Sequence, residues 1–198
     1  MGKCDKCNHE IQDDLKYCPN CGAEVASYPK PAGFWIRVVA SLIDALVFTP
    51  LIILNFLNTY WIKSAFLLII IVTPGFIYKP FMESYYGATL GKMALGLKVI
   101  DKREKKLDLK SAYIRFIPFL LTSIVGFVGI CILFSLPEFK TTSSIVEIGY
   151  LQQQISIGSI EVIFYLFSFV DCVLVAFTYR KRALHDMMAK SFCVYKSS

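Results

Sequence analysis

Four cysteines near the start of the chain, and a few charges set inside apolar sequence, are the residues here with chemistry to offer. The segment CDKCNHEIQDDLKYCPNCGAEV holds Cys4 and Cys7 as one C-x2-C pair and Cys18 and Cys21 as another. Two such pairs can bring four thiolates around one tetrahedral Zn2+. All four ligands are then protein sulfur and no position is open to water, so the expected role of the ion is structural. A module this short cannot bury enough apolar surface to fold alone, and metal binding would supply on the order of 10 kcal/mol. Gly22, just after the second pair, suits a backbone that turns tightly around a thiolate with positive φ. Two disulfides are the competing reading, which a reducing cytosol disfavours. His9 could replace a thiolate, but four cysteines already complete the set, and a solvated turn histidine is expected.

The second candidate lies in FWIRVVASLIDALVFTPLIIL, Phe34 to Leu54, an apolar run interrupted by Arg37 and Asp44. Their spacing rotates a helix by about 700°, about 20° short of two full turns, so both fall on one face with Ser41 between them. The axial rise between them is about 10 Å, the limit of a direct bridge, so water, Ser41 or another helix is expected to mediate. Arg37 can snorkel toward headgroups, whereas an ionised Asp44 at the bilayer centre costs roughly 3 kcal/mol without a partner. Asp171, in the last apolar run, falls at comparable depth. Two carboxylates facing a common cavity would bind a cation or share a proton; the plainer alternative is that each hydrogen-bonds between helices. Arg115 reads as a headgroup contact, and Cys131 and Cys172 as small buried hydrophobes. In RKRALHDMMAKSFCVY, His185 and Asp186 read either as a surface turn with Asp186 paired to Arg180 or Arg182, or as an inner gate or proton relay.

The elements that must position these groups are membrane helices. Of 198 residues, 56% are hydrophobic and only 18% charged, and the mean hydropathy is +0.55, well above the usual soluble balance. Four apolar stretches, 34–57, 64–81, 112–136 and 160–179, are near the length that crosses a bilayer. The expected fold is an all-α membrane protein: a four-helix transmembrane bundle, preceded by a small Cys4 zinc ribbon (1–25) and a stiff linker (26–33) with Pro29, Pro31 and Gly33. Residues 34–198 form the membrane domain, with a kink expected at Pro74-Gly75. Lys63 and Lys140 are the only two of 21 Lys and Arg that this arrangement leaves outside, so both termini are expected in the cytoplasm and the chain in the plasma membrane. The polar first 25 residues lack the pattern of a removable signal peptide.

Between the second and third stretches, ESYYGATLGKMALGLK reads as an interfacial segment, with small residues that permit close backbone approach. LKVID and LDL read as a cytosolic β-hairpin, with SFCVY as a third strand. The connection 137–159 is polar and expected to lie on the outer membrane face. The net charge of +6 sits beside apolar runs, so the bilayer, not nucleic acid, is the expected partner. With two histidines, no HExxH and no nucleophile elbow, the chain is not expected to be an enzyme. Gly87, Gly91 and Lys92 do not fit the spacing of a phosphate loop, and no internal repeat is found.

GFWIRVVASLIDAL, GATLGKMALGLKVID and RALHDMMAKSFCV, in that order, resemble the RDD family of bacterial integral membrane proteins. The cysteine head is similar to the short zinc ribbons that begin many bacterial membrane proteins. Carried over residue by residue, the family's name-giving arginine and aspartates fall at Arg37, Asp44 and Asp186; Asp171 is not a signature position. The resemblance implies transport, in some members exchange of sodium or another monovalent cation for protons, with Asp44 as the carrier. A homo-oligomer is expected for such a role, because one four-helix chain without repeats leaves little room for alternating access. The alternative is a membrane-anchored adaptor whose ribbon recruits a cytosolic protein partner, the intramembrane polar residues only holding helices together.

Overall fold

A computed structural model describes residues 2–4, 6–11, 17–23, 29–155, 158–178 and 180–196. Residues 26–28 of the expected linker, and Tyr179 at the end of the fourth expected span, lie outside the described residues. In the head, β1 (Gly2–Lys3) pairs antiparallel with β2 (Glu10–Ile11).

Helix α1 (Phe34–Leu57) starts after an extended Gly33, runs through Pro50 and continues as a wider π-helical turn, Asn58–Ile62. There the chain reverses. Lys63 takes a left-handed conformation, and the buried Asn58 side chain donates to the Ser64 carbonyl and accepts from the Ser64 N–H, both at 3.0 Å. Ser64 then caps α2 (Ala65–Tyr85), which stays one helix through Pro74 and Pro80. A short helix α3 (Leu90–Ala94) leads into β3 (Leu97–Asp101). Asp108 caps α4 (Leu109–Ser135), accepting from the Ser111 N–H at 3.3 Å. Two short helices, α5 (Pro137–Thr141) and α6 (Ile145–Gln154), precede α7 (Gly158–Phe177), α8 (Leu184–Met188) and β4 (Ser191–Tyr195).

Three helical segments, Phe34–Ile62, Ala65–Tyr85 and Leu109–Ser135, are long and apolar enough to cross a membrane; α7 contributes a shorter apolar stretch. Their outward faces show Leu46, Ile52, Ile69 and Ile163 exposed, as side chains that meet lipid rather than protein should be. Helix α4 is central, packing on α2, α7 and α8, while α1 packs chiefly on α3.

The described buried apolar clusters in this part of the chain sit at two opposite ends of α2 and α4. One joins Leu68 and Leu133 to Phe139 of α5 and Ile148 of α6. The connection 137–159 is thus folded onto the bundle, and Lys63 closes it by donating to the Phe139 carbonyl at 2.7 Å and to that of Thr142. The other end holds Ala32, Ala40, Val99, Leu107 and Cys193 beneath the sheet.

That sheet differs from the expected hairpin. The partner of β3 is β4, antiparallel, with Leu97 opposite Tyr195 and Asp101 opposite Ser191. The predicted LDL strand does not form; Lys106, just before it, makes an isolated bridge to Ile100, while Leu107 turns into the core and Asp108 is taken as a helix cap. Residues 30–32 flank the other edge of β4: the Tyr195 N–H donates to the Lys30 carbonyl at 3.0 Å and the Ala32 N–H to that of Cys193 at 2.9 Å.

Candidate functional site

The cysteine cluster is built from two copies of one turn. The Cys4 N–H donates to the His9 carbonyl at 2.9 Å and the Asn8 N–H to the Cys4 carbonyl at 2.8 Å. The Cys18 N–H to the Ala23 carbonyl, 2.8 Å, and the Gly22 N–H to the Cys18 carbonyl, 2.9 Å, repeat the pattern. Asn8 and Gly22 hold the equivalent left-handed positions, φ 57° and 65°. The four sulfurs lie within 4.8 Å of one another, with Cys4 to Cys21 at 3.5 Å and Cys7 to Cys18 at 3.6 Å. These distances are too long for disulfides and close to the separation of about 3.8 Å that a tetrahedron with 2.3 Å metal–sulfur bonds requires. His9 is exposed and outside the cluster.

The second site lies at the sheet end of the helices and is a network of buried charge. Arg37 of α1 reaches Asp186 of α8, Nη1 to Oδ2 at 2.5 Å, and also donates to the carbonyls of Ala32 and Lys181 at 3.1 and 2.7 Å. Arg115 of α4 meets the other oxygen of Asp186 at 2.6 Å, and its Nε donates to Glu83 of α2 at 2.9 Å. Its Nη1 also donates to the Ser191 hydroxyl of β4 at 2.5 Å. Lys92 of α3 donates to the second Glu83 oxygen. Arg115, Glu83 and Asp186 are each at most 1% exposed, so the cations and carboxylates must compensate one another inside the protein. For Asp186, burial opposes ionisation, but Arg115 and Arg37 outweigh it and hold the carboxyl well below the usual carboxylate range.

Asp44 is held differently. Its oxygens accept from the Tyr78 hydroxyl at 2.8 Å, the Thr89 hydroxyl at 2.6 Å and the Gly91 N–H at 2.7 Å. Gly91 reaches that position because it has no side chain: a Cβ there would lie 2.0 Å from the Ala40 carbonyl oxygen. The small-residue segment after α2 is thereby pinned onto α1 through one carboxylate. Asp171 of α7 accepts from the His185 N–H at 3.0 Å, and its other oxygen lies 2.5 Å from His185 Nδ1. His185 Nε2 is 3.3 Å from Asp186, which joins this pair to the charge network. Burial lowers the basicity of His185 below its ordinary value, against the pull of Asp171 and Asp186.

The structure rearranges several sequence expectations. Arg37 and Asp44 share a face, and both line one cavity together with Ser41, but Arg37 finds its carboxylate in Asp186 while Asp44 is bound by neutral donors. Asp44 and Asp171 have separate partners. Asp186 pairs with Arg37 and Arg115 rather than with the side chains of Arg180 or Arg182; Arg182 donates instead to its backbone carbonyl at 3.1 Å. Arg115 is not a headgroup contact, because α2, α8 and β4 enclose it. Cys131 and Cys172 are exposed on helix faces, not buried.

Glu83, Lys79 and Tyr78 went unread in the sequence, although two charges four residues apart in an otherwise apolar helix were a usable sign. The Lys79 ammonium lies 3.6 Å from the centre of the Phe119 ring. It lines the cavity of about 600 Å³ between α1, α2, α4 and α7, together with Arg37, Asp44, Lys92, Arg115 and His185.

The RDD family model matches residues 31–190, which carry every group of this network except Ser191. The chain belongs to the RDD family. A zinc-ribbon domain model matches residues 3–25, around the sulfur cluster. Two proteins of Bacillus subtilis strain 168 are similar. "Uncharacterized protein YxaI" is 28% identical over 125 residues, covering 50% of this chain and 83% of that protein. "Uncharacterized protein YckC" is 26% identical over 125 residues, covering 57% of this chain and 78% of that protein. No solved structure matches. This RDD protein is therefore a membrane protein with apolar helices, carrying a metal-binding cysteine cluster ahead of its family domain.

Proposed function

We propose that this RDD protein is a multi-pass plasma-membrane protein with both termini in the cytoplasm, transport-related, whose solute enters the cavity between α1, α2, α4 and α7. One observation carries the reading: three helices able to cross a membrane, with α3, α7 and α8, border a cavity of about 600 Å³ lined by Arg37, Asp44, Lys79, Lys92, Arg115 and His185. Polar side chains at such depth are costly and mark solute or proton paths more often than plain anchors. The basic residues support the orientation, since the β3–α4 connection and the residues after α7 lie at the sheet end, where a cytoplasmic surface would gather them.

The charges lining the cavity bear on the solute. Exchange of a monovalent cation for a proton at Asp44 would require the ion to displace Tyr78, Thr89 and Gly91 from its oxygens. Four lining cations against one lining carboxylate favour a negatively charged solute. The His185–Asp171 pair is the group placed to take up a proton alongside it. Flux in proteoliposomes, measured in parallel for protons, monovalent cations and anions, tests the proposal. Anion flux that Lys79→Gln reduces is the expected result, and no flux of any kind would sink it.

The ion of the ribbon is Zn2+ in this reading, held by Cys4, Cys7, Cys18 and Cys21 as a purely structural centre. A second reading, an adaptor whose ribbon recruits a cytosolic protein, is favoured by one observation: Asp44, Glu83 and Asp186 all have their charge met by groups of this chain. Under it, Cys18→Ser removes recruitment, and no cavity substitution matters beyond stability.

A further inference from the structure

Two cationic groups at the cavity have bonding capacity that the rest of the network does not use. Arg115 spends Nε on Glu83 and Nη1 on Asp186 and Ser191, while its Nη2 is buried without a hydrogen-bond partner. The Lys79 ammonium rests on the Phe119 ring, and among the described residues no carboxylate is in salt-bridge range of it. A buried guanidinium nitrogen without an acceptor carries a desolvation penalty that an incoming oxyanion would relieve.

All the neighbouring charges must be counted. Arg37, Lys79, Lys92 and Arg115 stand against Asp44, Glu83, Asp171 and Asp186, so the surroundings balance when His185 is neutral. The balance is not uniform in space. Glu83, Asp171 and Asp186 do not line the cavity and are each bound to a cation or to His185, and Asp44 is held by Tyr78, Thr89 and Gly91. The unmet bonding capacity at the wall and just behind it is cationic.

The remaining wall is mainly apolar, with Phe34, Val38, Leu42, Phe48, Phe116 and Val175 set beside the hydroxyls of Ser41, Tyr78, Thr89 and Ser123. Helix α1 leaves this wall open toward lipid, because Ala40 is its one buried residue and Leu42 is 60% exposed. A small hydrophilic anion would use the cations and leave the apolar surface wet. A molecule with an oxyanion at one end and a hydrocarbon chain at the other uses both.

We propose that the cavity binds an anionic amphiphile, its oxyanion headgroup against Lys79 and Arg115 and its chain along the α1 wall toward the bilayer. This rests on the cavity being the solute site and names the class of solute. Arg115 is a poor target for a test because it also holds the fold, whereas Lys79, among the described residues, has a ring contact and the more distant charge of Glu83 to lose.

The experiment is equilibrium binding to the full-length protein in detergent, with fluorescent phosphatidic acid, chain-matched phosphatidylcholine and inorganic phosphate as probes. Saturable binding of phosphatidic acid over phosphatidylcholine is expected, weakened about tenfold by Lys79→Gln, restored by Lys79→Arg and untouched by Lys140→Gln. Equal binding of the two lipids, or indifference to Lys79→Gln, would overturn the proposal. Inorganic phosphate that binds as tightly as phosphatidic acid would overturn its amphiphile part. Lipid binding without flux would sink the transport reading and leave this one standing; anion flux without lipid binding would do the opposite.

Discussion

Asp44, half-buried, and Asp186, fully buried, lie among helices that meet at one end of the bundle, yet they are held by opposite means. Asp44 accepts from two hydroxyls and a backbone N–H, whereas Asp186 is clasped between two guanidiniums. A neutral clamp depends on shape and donor count, so its loss leaves ordinary polar groups that rotate or find other acceptors. An ionic clasp depends on charge, and its loss leaves two buried cations facing each other. The first fixes the α3 segment to α1; the second joins α1, α4 and α8 into one body.

The substitution that presses hardest on this contrast is Asp186→Asn. It leaves Arg37 without a carboxylate and Arg115 with Glu83 alone, and is expected to cost about 3–5 kcal/mol, read as a loss of folded protein in detergent thermal unfolding. Gly91→Ala tests the neutral clamp through its geometry. The added Cβ meets the Ala40 carbonyl oxygen at 2.0 Å, so α3 must lift from α1, at an expected cost of about 2–3 kcal/mol by the same assay. Asp44→Asn keeps the size and one acceptor but turns an amide NH2 toward a donor, and a milder loss of about 1–2 kcal/mol is expected. If Asp44→Asn proves as damaging as Asp186→Asn, the distinction between clamp and clasp fails.

Acidification is a gentler probe. His185 has a folded-state basicity below its ordinary value, so the unfolded chain takes up more protons as pH falls. Stability is expected to be complete above about pH 6.5 and to decline below it, with His185→Gln flattening that decline. The depressed carboxyl of Asp186 adds no loss until the pH falls below about 4, where the unfolded chain's aspartate takes up a proton while the folded one stays ionised. The smallest effect expected on the helices comes from Cys18→Ser, which should abolish bound zinc, measured by elemental analysis, and leave their unfolding unchanged.

How much of this was readable in advance varied with the reach of the contacts. The ribbon was legible because its ligands lie within a few residues of each other, and spacing alone dictates that four sulfurs can meet. The long helices were legible from hydrophobic length. Asp44 was identified as costly and Arg37 as sharing its face, but their partners lie 34 to 47 and 149 residues away, beyond what periodicity reports. Arg115 was misjudged because a basic residue near a helix end looks like an anchor until β4 and α8 are seen to cover it. The hairpin failed for a related reason: SFCVY was recognised as a strand, but nothing local to LKVID says that its neighbour comes from the far end of the chain.

The pairing of β3 with β4 also sets an order of events during synthesis. Arg37 is made with the first helix, but Asp186 and Ser191 follow 149 residues and more afterwards, a wait on the order of 10 s at typical elongation rates. Glu83 and Arg115 can meet as soon as α4 is in place, so the growing chain holds half of its charge network early and the rest only as its last strand docks. A ribosome that stops short of Asp186 therefore releases a protein whose first helix still carries an unanswered cation.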